Sequence, residues 1–320
     1  MCAPAAAIDF PAAAPYNGKH RKGCFYMRHA WLIITHGSFE ILEKQLHFLD
    51  SENADFFVHV DARVKGFDAV HYSAIPQKSR VTFIGRKPIS WGHFSQVDCE
   101  LRLLRAAVPG GYDYYHLLSG VDVPLKSREY IEEYFTRVPG QNYVNFLAPE
   151  ISRSDLYRVM FYYPLQRCNI RKPSVRRALR NLTGAVQLAL GVDRTRRLPD
   201  GFVFQKGANW FSITHALAAY LLEKEPEIRD IFADTYCPDE MFVQTEIVNS
   251  PFRETLPETA FQNDYASCLR YIDWQRGNPY TFRNADLDEL LAAPETALFA
   301  RKFDYRSDRD VVDALFDRLG

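Results

Sequence analysis

The chain has 320 residues, 47% of them hydrophobic and 25% charged, which is enough for a sizeable core in one large domain or two tightly joined lobes. A net charge of -1 excludes the broad basic footprint of a nucleic-acid binder, and no apolar run reaches the roughly 18 residues that a membrane-spanning helix needs. Six scattered cysteines with no Cys-x-x-Cys pair argue against a disulfide framework or a zinc site and fit a reducing compartment.

Residues 1–28 lack a basic region followed by a long apolar core, so they read as a disordered leader and not as a signal peptide. Ala30 to Thr35 is then a short apolar run, a buried strand, and His36-Gly37-Ser38 turns the chain into a helix marked by Phe39, Leu42, Leu46 and Leu49. Asp55 to Val60 forms a second strand with Asp61 just beyond it, and Arg80 to Ile84 a third. Trp91-Gly92 precedes a helix with Val97, Leu101 and Leu104 on one face. Tyr112 to Ser119 is a fourth strand ending in Gly120-Val121-Asp122, and Ser127 caps the next helix. Strand and helix alternating in this way predict an α/β fold: a Rossmann-type, mixed but mainly parallel sheet flanked by helices. Ligands of such sheets lie outside the carboxyl ends of the strands. His36, Asp61, Trp91 and Asp122 all fall at or after strand ends, where they can line a nucleotide pocket, although an Asp there also suits a plain turn. Neither a Gly-x-Gly-x-x-Gly fingerprint nor a phosphate-binding P-loop is present.

The middle of the chain is basic. Between Arg167 and Arg197 stand Arg171, Lys172, Arg176, Arg177, Arg180, Arg194 and Arg196, against the single acid Asp193. Val175, Leu179, Leu182 and Val186 interleave at helical spacing, so residues 171–186 either lie on an anionic membrane surface or form a solvated helix packed on the body. Gly207 to Thr214 reads as a strand, with Thr214 capping a helix that runs to Glu223. In Tyr236 to Ser250, Pro238 suits the first turn of a helix, which puts Asp239 and Glu240 beside free backbone amides at its positive end. A carboxylate aimed out of a helix mouth suits a general base, and it also suits a plain cap. Arg283 and Lys302 are isolated cations in aromatic settings near the C-terminus; they can snorkel to water or hold phosphate, Arg as a fork and Lys as a point charge. Asp-x-Asp occurs at Asp286–Asp288 and Asp308–Asp310, the first at a helix start and the second in the charged tail, and neither reads as a metal site.

The stretches HVDAR (59–63), WGHFSQVDCELRLL (91–104), YDYYHLLSGVDVPLKS (112–127), KGANWF (206–211), CPDEMFVQTEIVNSPF (237–252), LRYIDW (269–274) and LFARKFD (298–304) together resemble glycosyltransferase family 14, in the family's own order. That family holds the core-2/I-branching β-1,6-N-acetylglucosaminyltransferases and the peptide O-xylosyltransferases. The resemblance implies a single GT-A-like domain over 29–320, with a donor half at about 29–150, a basic insertion at about 165–200 and a catalytic, acceptor-side half at about 201–305. It implies inverting, metal-independent transfer from a UDP-sugar, with no cofactor. Glu240 falls on the family's base, and Lys302 and Arg283 on the cations that hold the donor diphosphate. Thr35, His36, Asp61 and Trp91 would line uridine and diphosphate, with Asp122, Asn209 and Trp210 on the sugar or acceptor side. The donor it suggests is UDP-GlcNAc, with UDP-xylose as the alternative. The acceptor would be a glycan or lipid-linked glycan. The chain lacks the membrane anchor and disulfides of the animal enzymes, so it resembles a bacterial-type, cytoplasmic member working at the inner face of the cell membrane. Two other classes stand against this reading. One is a silent carbohydrate-binding protein on the same fold, which need not retain Glu240, Arg283 and Lys302 together. The other is a glycosidase, for which Asp122 with Glu240 is the carboxylate pair available.

Overall fold

The computed structural model describes residues 26–37, 39–167 and 172–320, so the leader up to residue 25, Ser38 and Arg171 lie outside the described residues. The strands are β1 His29–Thr35, β2 Ala54–Val60, β3 Val81–Phe83, β4 Tyr114–Ser119, β5 Val123–Pro124, β6 Tyr143–Val144, β7 Phe211–Thr214, β8 Arg270–Ile272 and β9 Phe299–Arg301. The helices are α1 Phe39–Phe48, α2 Ala69–Ser73, α3 Ser95–Ala107, α4 Arg128–Arg137, α5 Arg153–Met160, α6 Pro173–Ala189, α7 His215–Glu223, α8 Glu225–Phe232, α9 Phe242–Val248, α10 Leu287–Leu291 and α11 Arg309–Leu319.

The main sheet runs β3-β2-β1-β4-β7-β6, parallel through its first four strands and antiparallel at β7 and β6. β1 is apolar from Ala30 to Ile34 because both of its faces are covered. Trp31 and Ile33 join one core with α1, α4, α10 and α11, while Ala30 and Leu32 join the other with α3, α7, α8 and α9. The mainly parallel sheet flanked by helices is therefore as the sequence pattern predicts. A small sheet, β5-β9-β8, was not predicted; it lies next to the end of β4, where Leu125 N–H donates to Leu298 C=O and Phe303 N–H to Val121 C=O.

Two caps follow the sequence: Ser127 accepts from the Tyr130 amide and Thr214 from Leu217. Asp308, in the charged tail, caps α11, a helix the sequence reading does not contain. The predicted third strand is trimmed to Val81–Phe83, and the fourth begins at Tyr114. The strand predicted from Gly207 starts only at Phe211. The Gly207 amide donates to Glu240 C=O and the Ala208 amide to Asn145 Oδ1, so the backbone here serves the site before it enters the sheet.

Buried acids couple stability to pH, and Glu246 is one of them. Glu246, in α9, is 4% exposed and its Oε1 has no hydrogen-bond partner among the described residues. Burial first, and the charge of Glu227 second, push its carboxyl from 4.5 up to about 7. The folded chain thus keeps a proton that the unfolded chain releases. The contribution is complete below pH 4.5 and is lost as pH rises to about 7, an order-of-magnitude change of about 3 kcal/mol. Glu246→Gln is expected to remove this part of the pH dependence. Urea midpoints of both proteins at about pH 5 and pH 8, either side of most of that window, check it; an identical fall in both would assign the dependence elsewhere.

Candidate active site

The carboxyl ends of β1, β2 and β4 carry loops that hold one another. The Asp61 amide donates to Thr35 C=O at 2.9 Å, and the Thr35 hydroxyl to Gly37 C=O at 2.8 Å. A Cβ on Gly120 would lie 2.4 Å from Thr35 Oγ1, so only glycine lets the loops after β1 and β4 close together. His36 stands exposed directly after β1. Asp61 is buried, and its carboxylate accepts from Arg63 Nε and Nη2 at 2.9 and 2.6 Å and from the amides of Arg63 and Ile89. Burial raises its carboxyl, but the hydrogen bonds from Arg63 and Ile89 outweigh it and hold the group well below the usual carboxylate range. Asp61 therefore shapes the loop with an occupied carboxylate.

The loop after β3, tied to Asp61 through the Ile89 amide, leads to Trp91, exposed and edge-on to Tyr236 with ring centres 6.0 Å apart. Gly92, at φ +70°, accepts the Cys237 amide through its carbonyl at 2.9 Å, and a Cβ there would meet Cys237 Sγ at 3.1 Å. Gln96 accepts from the Gly92 amide and donates to Asp239 Oδ2 at 2.9 Å. The loop after β3 is thereby fixed to the turn that carries Glu240.

That turn differs from the sequence expectation. Pro238–Glu240 is a short 3-10 turn, entered through Cys237 in the left-handed region (φ 50°), and Met241 breaks the backbone before α9 begins at Phe242. Glu240 is thus outside the first turn of the α-helix, and charged side chains hold it. Its Oε2 lies 2.8 Å from Arg158 Nη1 and 3.8 Å from Lys206 Nζ, and both cations also bind Asp155, at 3.1 and 3.2 Å. Its side chain is 35% exposed, and Oε1 makes no hydrogen bond among the described residues, so one oxygen is fixed and the other is open. Asp239 turns inward instead. Burial, then the charge of Glu240, push its carboxyl up to about 7; among the described residues its Oδ1 and both oxygens of the buried Glu100 have no hydrogen-bond partner.

Asp122 is fully buried. Its Oδ2 accepts from the Ser119 amide at 2.6 Å, and its Oδ1 lies 3.7 Å from Arg301 Nη1. The Arg301 guanidinium stacks 3.9 Å from the centre of the Trp210 ring. Asp122, Arg301 and Trp210 therefore form one column. A carboxylate enclosed this way does not face a second one across an open site, which removes the Asp122–Glu240 pair of a glycosidase. Asn209, beside Trp210, is partly exposed, with no side-chain hydrogen bond among the described residues.

The segments that carry Arg283 and Lys302 run side by side, and both residues are partly exposed. Lys302 C=O accepts from the Phe282 amide at 2.9 Å, and Phe303 N–H donates to Val121 C=O at 3.0 Å, next to Gly120 and Thr35. Neither cation has an ion-pair partner among the described residues. Arg276 nearby, by contrast, is closed off by Asp273, Asp286 and Glu289. Asp286 takes Arg276 on Oδ1 and the Arg283 amide on Oδ2, so the first Asp-x-Asp is spent on structure, and the second caps α11. No group of three or more His, Cys, Asp or Glu that could hold a metal occurs among the described residues.

The sequence reading missed Arg158, Lys206, Asp155 and Arg301. Lys206 and Arg301 stand inside the stretches already singled out, next to Gly207 and Lys302. Arg158 is 82 residues from Glu240 in the chain and carries no local signal.

The half-open carboxylate of Glu240, and Arg283 and Lys302 with no ion-pair partner among the described residues, belong to an α/β protein whose sheet is parallel through four strands, the architecture in which ligands lie beyond the carboxyl ends of the strands. Comparison with known proteins narrows the class: the chain belongs to the Core-2/I-Branching enzyme family, a family of glycosyltransferases, which matches residues 29–291. It is 24% identical to Xylosyltransferase 2 of Homo sapiens over 310 residues and to that of Canis lupus familiaris over 307, in each case 90% of this chain and 33% of the relative. Xylosyltransferase 1 of Homo sapiens is 21% identical over 306 residues, 90% of this chain and 30% of that protein. The chain thus spans about a third of the length of the curated relatives it matches. A crystal structure of mannose-1-phosphate geranyltransferase from Thermus thermophilus aligns over 72% of this chain and 67% of its own at 13% identity, with a TM-score of 0.26, too low to bear on the fold.

Proposed function

We propose that the chain is an inverting, metal-independent glycosyltransferase of GT-A-like fold that moves a sugar from a UDP-sugar to a glycan hydroxyl. The observation that carries this reading is Glu240: one carboxylate oxygen clamped by Arg158, the other without a hydrogen bond among the described residues, in a chain where Arg283 and Lys302 have no counter-ion among those residues. The acceptor hydroxyl gives its proton to Glu240 Oε1 as its oxygen bonds to the anomeric carbon. The bond from that carbon to the diphosphate breaks on the opposite side, and the electron pair leaves with UDP, which inverts the centre. Arg283 and Lys302 offset the charge that builds on the diphosphate, the service a divalent metal performs in other transferases. Thr35, His36, Asp61 and Trp91 line the uridine and diphosphate side, and Asn209 and Trp210 the sugar side, with Asp122 holding Arg301 beneath Trp210.

In this reading residues 29–150 form the donor half and 201–305 the acceptor half of one domain. The enzyme is cytoplasmic and of bacterial type, with a lipid-linked glycan as acceptor and 171–186 in contact with an anionic membrane. Pro238-Asp239-Glu240 favours GlcNAc as the donor sugar. The xylosyltransferase names of its relatives favour xylose, the second reading.

Calorimetric titration of UDP-GlcNAc and UDP-xylose into the purified protein in EDTA tests both. Binding of one sugar nucleotide names the donor and supports capture without metal; binding only after manganese is added would sink the metal-independent site. Arg283→Ala and Lys302→Ala are each expected to weaken UDP binding by about tenfold or more, the scale of a lost hydrogen bond to a charged group. Unchanged affinity in both variants would take the diphosphate away from these cations.

A further inference from the structure

α6 exposes much of its apolar stripe and turns polar side chains inward beside the partly buried Leu179, unlike a helix that serves only to pack on the body. On the inward side Arg180 lies 4.6 Å from the centre of the Tyr236 ring, and Gln187 exchanges hydrogen bonds with the Tyr162 backbone at 2.8 and 3.0 Å. On the outward side Val175, Leu182 and Val186, spaced by seven and four residues, share one face and are 43%, 61% and 49% exposed. Leu188 and Leu190 extend the exposed apolar surface at the C-terminal end.

The charge around this face has one sign. From Lys172 to Val192 there is no acidic residue, while Lys172 and Arg177 stand exposed. A second copy of the chain would bring the same positive charge against this face. A bilayer with anionic headgroups satisfies both features, taking the aliphatic side chains below the headgroups and the cations among them. The site adjoins this face. Arg180 rests on Tyr236, which leads into the Glu240 turn, and Tyr162 follows α5, which carries Arg158.

We propose that α6 docks the protein on an anionic bilayer with Val175, Leu182 and Val186 inserted, and that the acceptor glycan, carried on a lipid, is presented to Glu240 from that surface. The docking stands on α6 alone; the substrate half rests on the transferase reading. Flotation of the full chain with phosphatidylglycerol vesicles and with phosphatidylcholine vesicles tests it, beside the Leu182→Asp, Val186→Asp double variant and UDP-sugar titration of both proteins. The expected result is flotation with the anionic vesicles only. The double variant should partition at least about tenfold less, the scale expected when charges enter an inserted apolar face, with UDP-sugar binding unchanged. Wild-type protein that stays at the bottom, or a double variant that floats equally well, overturns the docking. A dimer that the substitutions dissociate, with no flotation, overturns it in favour of a second copy. Flotation as expected without any UDP-sugar binding supports the docking and sinks the transferase reading instead.

Discussion

Glutamine in place of Glu240 is expected to lower sugar transfer by about a hundredfold to ten-thousandfold, the range a positioned general base contributes, and to leave UDP binding intact. Gln is the informative replacement because of how Glu240 is held. Arg158 and Lys206 bridge Glu240 and Asp155, so two cations face two carboxylates. An amide oxygen in place of Oε2 still accepts from Arg158 Nη1, and Asp155 stays to hold both cations. The turn therefore keeps its place while the ability to take a proton is lost. Alanine would leave Arg158 short of a partner and mix a structural loss into the chemical one. Initial rates against acceptor, with UDP titration of the same preparation, separate the two effects. Transfer by Glu240→Gln at the wild-type rate would show that the base is another group.

The sheet is legible in the sequence because its central strands are buried on both faces: Ala30 to Ile34 is a continuous apolar run, Phe56 to Val60 is broken only by His59, and Asp61 and Asp122 stand just beyond the second and fourth strands. The small sheet is not. β5 has two residues and β8 and β9 three each, too short for a periodicity of two to stand out, and their partners are far away in the chain. Glu240 was found through Pro238-Asp239, but its setting was misread. The proline that suits a helix start here opens a 3-10 turn, because Cys237 is tied to Gly92 and Gly207 to the Glu240 carbonyl, contacts no local pattern contains. Arg158 was invisible for the same reason. The spacing of Val175, Leu179, Leu182 and Val186 marks the helix that α6 forms and leaves open whether it meets a membrane or the body, since apolar spacing alone does not say what an apolar face meets.

Alanine at Gly207 is expected to be among the most damaging single-methyl additions in the protein. A Cβ built there falls 1.8 Å from Asn145 O, 2.6 Å from its carbonyl carbon and 3.0 Å from Gln244 Nε2. The nearest atoms are main chain, so no rotamer change relieves the clash. Asn145 is held as well: its side chain takes the Ala208 amide, and its carbonyl takes Gln244 Nε2. The segment carrying Lys206 and Gly207 must therefore move. Overpacking of this kind costs about 3 kcal/mol, which for a chain of this size lowers Tm by roughly 5 °C or more. The same movement breaks the bond from the Gly207 amide to Glu240 C=O and shifts Lys206, so transfer should fall further than the lost stability explains, even at temperatures where the variant is fully folded. Thermal unfolding and transfer rates measured side by side separate the two losses. A lower Tm with normal transfer would show that Glu240 keeps its place without Gly207. An unchanged Tm would show that the contact between Gly207 and Asn145 is looser than 1.8 Å implies.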